Sequence, residues 1–334
     1  MKKSSVIQLA AGLLLAGGGM YFFLRDVNVA LLWRMLRSTP LWVAAGVAVL
    51  TLLTIWLRSL RWNLILPARG GDHRGLFGFV MIGFMVNNFL PAHLGEVSRV
   101  LFLWKRNRFT VATSAGSILI ERILDVIMYL SFFFIPALAL ARLRSTIPFA
   151  IPVACGVAAL LVGLITYAVA PLLVKTIAKK LSQNLSAGLR HKVITIGKEL
   201  VSNLDWAFSP KKCLVMIALS FLIVACHVVM MIILVNERTF GFLSGMFASA
   251  WAALGAAIPF SPGYVGTLHA ALKLGLLLNG IDANKAIVVA TLYHAIGYLT
   301  ITAAGLYFVV TMGISFKEIG HAKEELKKEE SSAD

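Results

Sequence analysis

The chain has few charged residues, and acidic ones are especially scarce. Of its 334 residues, 14% are charged, with 15 Asp and Glu against 31 Lys and Arg. Soluble globular domains carry about 25% charged residues, so this composition argues against an ordinary soluble protein. Cysteine is also rare, and Cys155, Cys213 and Cys226 are too scattered to predict a disulfide scaffold or a metal site.

The sequence also lacks the short motifs of several common catalytic and nucleotide-binding sites. It contains no Gly-x-Gly-x-x-Gly, P-loop, His-Glu-x-x-His or Gly-x-Ser-x-Gly motif. We therefore expect no cofactor, no metal and no enzymatic activity. The net charge of +16 is explained by basic cytoplasmic loops beside anionic phospholipids, and we expect no nucleic-acid partner.

Long apolar runs dominate the sequence. Hydrophobic residues make up 59% of the chain, and several runs reach the ~20 residues that a spanning helix needs. The runs are continuous, which predicts helices and excludes alternating barrel strands. We predict an all-α polytopic integral membrane helix bundle with about six full spans and two re-entrant helical hairpins related as an inverted repeat. The runs cover residues 6–24, 41–57, 76–90, 111–141, 147–174, 214–235, 240–260 and 286–312.

The distribution of Lys and Arg predicts the orientation. If runs 76–90 and 240–260 begin hairpins that re-enter on their own side, most of the 31 basic residues lie on the side of the N-terminus. The positive-inside rule then places both termini in the cytoplasm, with segment 175–212 as an amphipathic helix at the inner leaflet. We expect one membrane domain over residues 1–316, starting with a retained signal-anchor, and a charged, disordered tail over residues 317–334.

Proline and glycine interrupt both short runs at similar places. Interrupted hydrophobic segments in the two halves of a chain indicate the central site of a transporter, because irregular backbone at membrane depth must line a cavity or be buried in protein. Two kinks that serve packing alone are the alternative. The predicted breaks are Pro91 and Gly95 in the first half and Pro259, Pro262, Gly263 and Gly266 in the second.

Three ionisable residues, Glu121, Arg122 and Asp125, lie inside the fourth apolar run. The helical rise puts Glu121 ~15 Å into the run, near the middle of a ~30 Å hydrocarbon core. An ionisable residue there costs roughly 2.5–3.5 kcal/mol, so it normally faces a bundle interior or a wet cavity. We predict that the cluster meets Glu96 and Arg99 in one polar cavity, with Arg122 pairing both acids. A salt-bridge cluster that only fixes helix register is the alternative.

Several polar motifs follow one another in the order of a known family. They are Arg58-x-x-Arg61-Trp62, then Asn88-Phe-Leu-Pro91-x-x-Leu-Gly95-Glu96-x-x-Arg99, then Glu121-Arg122-x-x-Asp125, then Pro262-Gly263-x-x-Gly266. The set resembles the transmembrane region of lysylphosphatidylglycerol synthases, which also occurs in stand-alone flippase-like membrane proteins. The resemblance covers nearly the whole chain. It implies that the chain moves a lipid between leaflets, and the absence of a following soluble domain argues against aminoacyl transfer.

The chain departs from the family pattern at four positions. The family usually has Arg at the positions of His93 and His294, Glu at that of His269 and Gly at that of Tyr264. Imidazoles have a reference pKa of ~6.5, so we predict that their protonation gates or couples headgroup movement. Neutral, hydrogen-bonding histidines are the alternative, and we interpret His227 as structural.

Translocation of a lipid or lipid-linked headgroup across a bacterial-type inner membrane is the leading hypothesis. A phosphate can pair with Arg99 and Arg122, whereas the nearby carboxylates can hold these arginines or receive a cationic headgroup. A non-transporting partner in lipid, hopanoid or envelope biosynthesis, a small-solute ion-coupled transporter and an intramembrane enzyme are the alternatives. The lipid's identity and homo-oligomer formation stay open. The candidate translocation residues are Asn88, His93, Glu96, Arg99, Glu121, Arg122, Asp125, Tyr264, His269 and His294.

Overall fold

The computed structural model describes residue 21 and residues 29–68, 71–90, 93–140, 143, 203–258, 262–315 and 318. Helices and no β-strand occur within these residues, which confirms the all-α prediction. Several predicted features lie outside them. These are the runs 6–24 and 147–174, most of segment 175–212, most of the charged tail, and the breaks at Pro91 and Pro259.

Long helices alternate with pairs of short ones in the described chain. Helices α2, α6 and α9 have 25, 26 and 29 residues and are long and apolar enough to cross a membrane. Helix α5 has 29 residues and carries the ionisable cluster. The α-helices are α1 (Val29–Ser38), α2 (Leu41–Ile65), α3 (Leu76–Phe89), α4 (Leu94–Asn107), α5 (Val111–Ala139), α6 (Pro210–Val235), α7 (Phe242–Ala256), α8 (Thr267–Leu278) and α9 (Ala283–Thr311).

The beginning of α6 corrects one boundary of the predicted amphipathic segment. The described end of that segment is a 3-10 turn, Asp205–Phe208, followed by the first turn of α6. Pro210 occupies the first turn of α6, and the Ser209 side chain accepts a hydrogen bond from the backbone N–H of Lys212. Proline starts a helix readily but cannot continue a preceding one. Lys211 and Lys212 therefore belong to the membrane-length helix.

Helices α3, α4, α7 and α8 pack as two hairpins. Helices α3 and α4 have 14 residues each, and α7 and α8 have 15 and 12. At 1.5 Å per residue, each is ~18–22 Å long, shorter than a ~30 Å hydrocarbon core. Small residues let each pair approach closely. A Cβ atom on Gly95 would collide with the carbonyl oxygen of Gly83, and one on Gly255 would lie 2.7 Å from the Cα of Leu268.

The two hairpins open at opposite ends of α9. At the open end of the first hairpin, the Arg106 guanidinium donates to the carbonyl of Met312 at 2.8 Å, just beyond the end of α9. At the open end of the second hairpin, Lys285 lies in the first turn of α9, and its Nζ is 2.8 Å from Oε1 of Glu237. The length of α9, ~43 Å, separates these two contacts. Which membrane face each end occupies stays a prediction.

The tips of the two hairpins meet between these ends. The centroids of the His93 and Tyr264 rings are 6.1 Å apart, and Gly263 approaches the backbone of Asn88 so closely that a Cβ would lie 2.8 Å from its carbonyl oxygen. His93 and Tyr264 have φ angles of 53° and 61°, in the left-handed region. That region disfavours residues with a Cβ, so the glycine that the family pattern has at the position of Tyr264 would fit without strain.

Helices α2 and α9 hold the two hairpins together. Trp62 of α2 belongs to a buried cluster with residues of α3, α4 and the distal part of α9, whereas Val47 belongs to a second cluster that includes residues of α6, α7, α8 and the first turns of α9. Large apolar side chains such as Leu214, Leu299 and Val310 remain exposed on the outside of the bundle. An apolar exterior around a core with buried charges is the pattern expected of a protein surrounded by lipid.

Candidate functional site

Two arginines of α2 bind the carboxylate of Asp125 on α5. The Nη1 of Arg58 lies 2.7 Å from Oδ2, and the Nη2 of Arg61 lies 2.6 Å from Oδ1. All three side chains are buried. Each carboxylate oxygen thus has its own charged donor, which is the arrangement that makes a buried charge tolerable.

Glu121, one turn before Asp125, is held by Arg99 of α4. The guanidinium donates from Nη2 to Oε2 at 2.5 Å and from Nη1 to Oε1 at 3.3 Å. Behind this pair, Arg99 stacks over the Trp62 ring at 4.1 Å, and the Trp62 indole donates to the hydroxyl of Ser117 at 2.9 Å. The Glu121 carboxylate is fully enclosed, so this pair joins α4 and α5 away from solvent.

Arg122 lies at the edge of the cluster and touches three acids. Its Nη2 lies 3.0 Å from Oε1 of Glu121 and 3.4 Å from Oδ2 of Asp125, and its Nε lies 3.6 Å from Oε1 of Glu96. The Arg122 side chain is 36% exposed, in contrast to the enclosed Arg61 and Arg99. Arg122 pairs Glu121 and Asp125 as predicted, but its removal would not leave them unpaired, because Arg99 also binds Glu121, and Arg58 and Arg61 also bind Asp125.

A cavity of about 700 Å³ opens beside this cluster, between the hairpins and helices α2, α5, α6 and α9. Arg58, Glu96, Arg122 and Asp125 line one part of its wall. The other parts are mainly apolar and aromatic. They include Ile55, Phe84, Leu130, Phe133, Met230, Ala253 and Leu268.

The structure brings most of the candidate residues to this cavity, but not all of them to its wall. Arg99 and Glu121 lie behind the wall and contact it through Arg122. His269 also lies outside the wall, with its ring centroid 4.6 Å from that of His294. The candidates that line the cavity are Asn88, His93, Glu96, Arg122, Asp125, Tyr264 and His294.

His269 of the second hairpin and His294 of α9 both contact the irregular backbone of that hairpin. The Nε2 of His294 lies 2.7 Å from the carbonyl oxygen of Gly263, so Nε2 carries the hydrogen and donates. The Nδ1 of His269 accepts from the backbone N–H of Gly266 at 3.4 Å. Both rings therefore contact the break in the hairpin, where the backbone leaves the helical path.

Asparagines organise the tip of the first hairpin. The Oδ1 of Asn87 accepts from the backbone N–H of Gly95 at 2.8 Å, which ties α3 to α4 across the break. The Nδ2 of Asn88 donates to the hydroxyl of Thr302 at 3.0 Å and to the carbonyl of Tyr298 at 3.2 Å. Asn88 thus fixes the tip to α9, beside the cavity.

Sequence reasoning missed two groups of polar residues at the cavity. It quoted Arg58 and Arg61 in a family motif but ended the second apolar run at residue 57 and did not count them as site residues, whereas α2 continues to Ile65. Their i, i+3 spacing after an apolar run was the available signal. The second group is His227 and Tyr293, whose Nδ1 and hydroxyl are 2.8 Å apart in the cavity wall. No motif in the sequence marks that pair.

Helices of membrane length, two paired short hairpins and a buried charge cluster define a polytopic helical membrane protein. The model of the family described as the lysylphosphatidylglycerol synthase TM region matches residues 9–305. The chain belongs to that family. It is also similar to a UPF0104 membrane protein of Methanocaldococcus jannaschii, with 27% identity over 238 residues that cover 69% of this chain and 95% of the relative.

Proposed function

We propose that the chain moves the polar headgroup of a membrane lipid between leaflets through this cavity. One observation carries the proposal: a single cavity has a charged wall next to an extensive apolar one. These two walls match the two parts of a lipid, since its headgroup needs polar partners and its tails favour hydrocarbon. A charged headgroup would otherwise face a large desolvation cost in the bilayer core.

The paired hairpins supply a means of opening the cavity to each side. Their tips contact each other at His93 and Tyr264, and both of these residues also line the cavity. The open ends of the hairpins lie at opposite ends of α9. Rocking of one hairpin against the other would expose the charged wall alternately toward the two membrane surfaces, as in transporters built from inverted repeats.

The proposed location is the inner membrane, with the open end of the first hairpin in the cytoplasm. That end carries Arg74, Lys105, Arg106 and Arg108. Clusters of Lys and Arg near the ends of membrane helices favour the cytoplasmic side and bind anionic phospholipids there.

A transbilayer-movement assay tests the proposal. The full chain is reconstituted into vesicles of phosphatidylethanolamine and phosphatidylglycerol that contain a trace of headgroup-labelled phospholipid. An impermeant quencher then reports how fast the inner-leaflet label reaches the outer leaflet. We expect faster movement than in protein-free vesicles, and a rate reduced at least about tenfold by Arg122→Gln, since a hydrogen bond to a charged group contributes ~1.5–3 kcal/mol.

Lys285→Gln is the matched control. It also removes one cation, but that cation pairs with Glu237 and does not line the cavity. The control should retain the wild-type rate. Wild-type protein that moves no labelled headgroup faster than protein-free vesicles would contradict the proposed function.

A further inference from the structure

The charges at the cavity do not balance. Four guanidinium groups, those of Arg58, Arg61, Arg99 and Arg122, form ion pairs with three carboxylates. The three acids are Glu96, Glu121 and Asp125. The cluster that the described residues form therefore has an excess of one positive charge. An uncompensated buried charge is expensive, so the cluster is suited to a negatively charged occupant.

The excess charge is accessible from the cavity at Arg122. Arg61 and Arg99 are enclosed, and their guanidinium groups hold Asp125 and Glu121. Arg122 lines the cavity and is 36% exposed, and its buried Nε has no hydrogen-bond partner among the residues that the structure describes. Arg58 lines the cavity next to it, and both guanidinium groups reach Oδ2 of Asp125, at 2.7 and 3.4 Å.

Resting on the function proposed above, we infer that the headgroup carried by this chain is anionic and that its phosphate binds Arg122 and Arg58. Guanidinium groups offer several donors in a fixed fork, which matches the oxygens of a phosphate diester. Two such groups converging on one carboxylate oxygen form a clamp, with Asp125 holding both side chains in place.

The same geometry disfavours a cationic headgroup. Glu121 and Asp125 are already bound by two or more arginines each. Glu96 is the most exposed of the three acids, at 25%, and it lies 3.6 Å from Nε of Arg122. Protonation of His93 or His294, which line the same cavity, would only add positive charge. A cation would thus approach a cluster with an excess of one positive charge, which repels it.

The apolar part of the cavity favours a lipid over a free anion. Aromatic and aliphatic side chains, among them Phe84, Leu130 and Phe133, surround most of the space beside the charged wall. A soluble phosphate would gain nothing from these contacts. Acyl or isoprenoid chains make dispersion contacts there that replace those with surrounding lipid, so they can occupy this space without loss.

Lipid-binding measurements on the full chain in detergent test the inference. Native mass spectrometry compares phosphatidylglycerol, which is anionic, with zwitterionic phosphatidylcholine and cationic lysylphosphatidylglycerol, and glycerol phosphate represents the free anion. We expect phosphatidylglycerol to bind at least about tenfold more tightly than the other three. Arg122→Gln should weaken its binding by about the same factor, whereas Lys285→Gln should not.

Glu96→Gln distinguishes a site for an anionic headgroup from a site for a cationic one. Removal of this carboxylate increases the excess positive charge, so we expect phosphatidylglycerol to bind as tightly as to wild type or more tightly. Weaker binding of phosphatidylglycerol to Glu96→Gln would overturn the inference. Tighter binding of the cationic or zwitterionic lipid than of phosphatidylglycerol would also overturn it. Glycerol phosphate that binds as tightly as phosphatidylglycerol would overturn the preference for a lipid.

The transport assay distinguishes this inference from the function on which it rests. Movement of lysylphosphatidylglycerol or phosphatidylcholine at a higher rate than phosphatidylglycerol would support translocation and refute the anionic preference. Failure of the wild-type chain to move any of the three headgroups would instead refute the function itself.

Discussion

Arg58 and Asp125, 67 positions apart in the chain, are joined by a hydrogen bond of 2.7 Å inside the bundle. The bond links α2 to α5 at the wall of the cavity. Arg61 binds the other oxygen of the same carboxylate from one turn further along α2. This relationship makes Asp125 the residue on which the arrangement of the charged wall depends most.

Replacement of Asp125 by Ala should destabilise the protein substantially. It leaves Arg58 and Arg61 without their closest carboxylate in a buried site, and breaking a buried pair in this way costs ~3–5 kcal/mol. Unfolding of the purified protein in detergent, followed by circular dichroism, measures the loss. Asp72→Ala is the control, because the exposed Asp72 carboxylate pairs with Arg74 and accepts from the Arg74 backbone N–H, and its loss should cost about 1 kcal/mol. Equal stability of the two variants would contradict the assigned role of Asp125.

Replacement of Gly95 by Ala should prevent the first hairpin from packing. The added methyl group would collide with the Gly83 backbone and approach the Asn87 side chain to 2.7 Å, and neither group can move without separating α3 from α4. We expect a loss of ~1–3 kcal/mol, the usual cost of overpacking, or failure to fold. Gly46→Ala on α2 is the control, since no atom of the described residues, apart from the adjacent backbone of α2 itself, lies within 4 Å of the position that its methyl group would take. Equal tolerance of both substitutions would show that the crossing at Gly95 is not tight.

Apolar run length predicted α2, α3, α5, α6, α7 and α9, and the hairpin hypothesis implied α4 and α8, whereas α1 was not predicted. Composition excluded a soluble fold, and the Pro and Gly positions indicated both breaks. The span at residue 57 was ended too early because hydropathy treats Arg58 and Arg61 as loop residues. Only their pairing with Asp125, 64 or more positions away, makes these arginines compatible with a buried helix. Partners so distant in the chain cannot be assigned from local pattern.

The different roles of neighbouring residues within the cluster were equally inaccessible from the sequence. Glu121 and Arg122 are adjacent, yet one is enclosed and the other is partly exposed in the cavity wall. Helical geometry places adjacent residues ~100° apart, so the two side chains point toward different surroundings. Which one faces the cavity depends on where α4 packs, and that is set by Arg99 and the glycine crossing of the first hairpin.

The contact between His269 of the second hairpin and His294 of α9 should make transport depend on pH. His269 and His294 are in edge-to-face contact, so a proton on either ring places positive charge beside Gly263 and the cavity. Because protonation of His269 at Nδ1 would break the hydrogen bond that it accepts from Gly266, we expect the transport rate to change only below the reference pKa of histidine, ~6.5. His269→Gln combined with His294→Gln should flatten that profile. A double variant that retains the pH profile of the wild type would refute gating by these histidines.

The orientation prediction can be checked by labelling single cysteines in intact cells. In a variant without the native cysteines, a cysteine at the position of Arg106 should be protected from an impermeant external reagent. A cysteine at the position of Arg238, near the open end of the second hairpin, should react. We expect Lys192, which lies outside the described residues, to behave like Arg106. The reverse labelling pattern would invert the proposed topology.

Blocking the apolar part of the cavity tests most directly whether it is the path of the lipid. Ala253→Trp places a large side chain in the cavity wall while leaving the charged residues unchanged. Val310→Trp adds the same side chain to the exposed outside of α9 and serves as the control. In the reconstituted transbilayer assay, with both variants shown to be folded, we predict that Ala253→Trp abolishes movement of the labelled headgroup and Val310→Trp does not. A wild-type rate for Ala253→Trp would contradict translocation through this cavity.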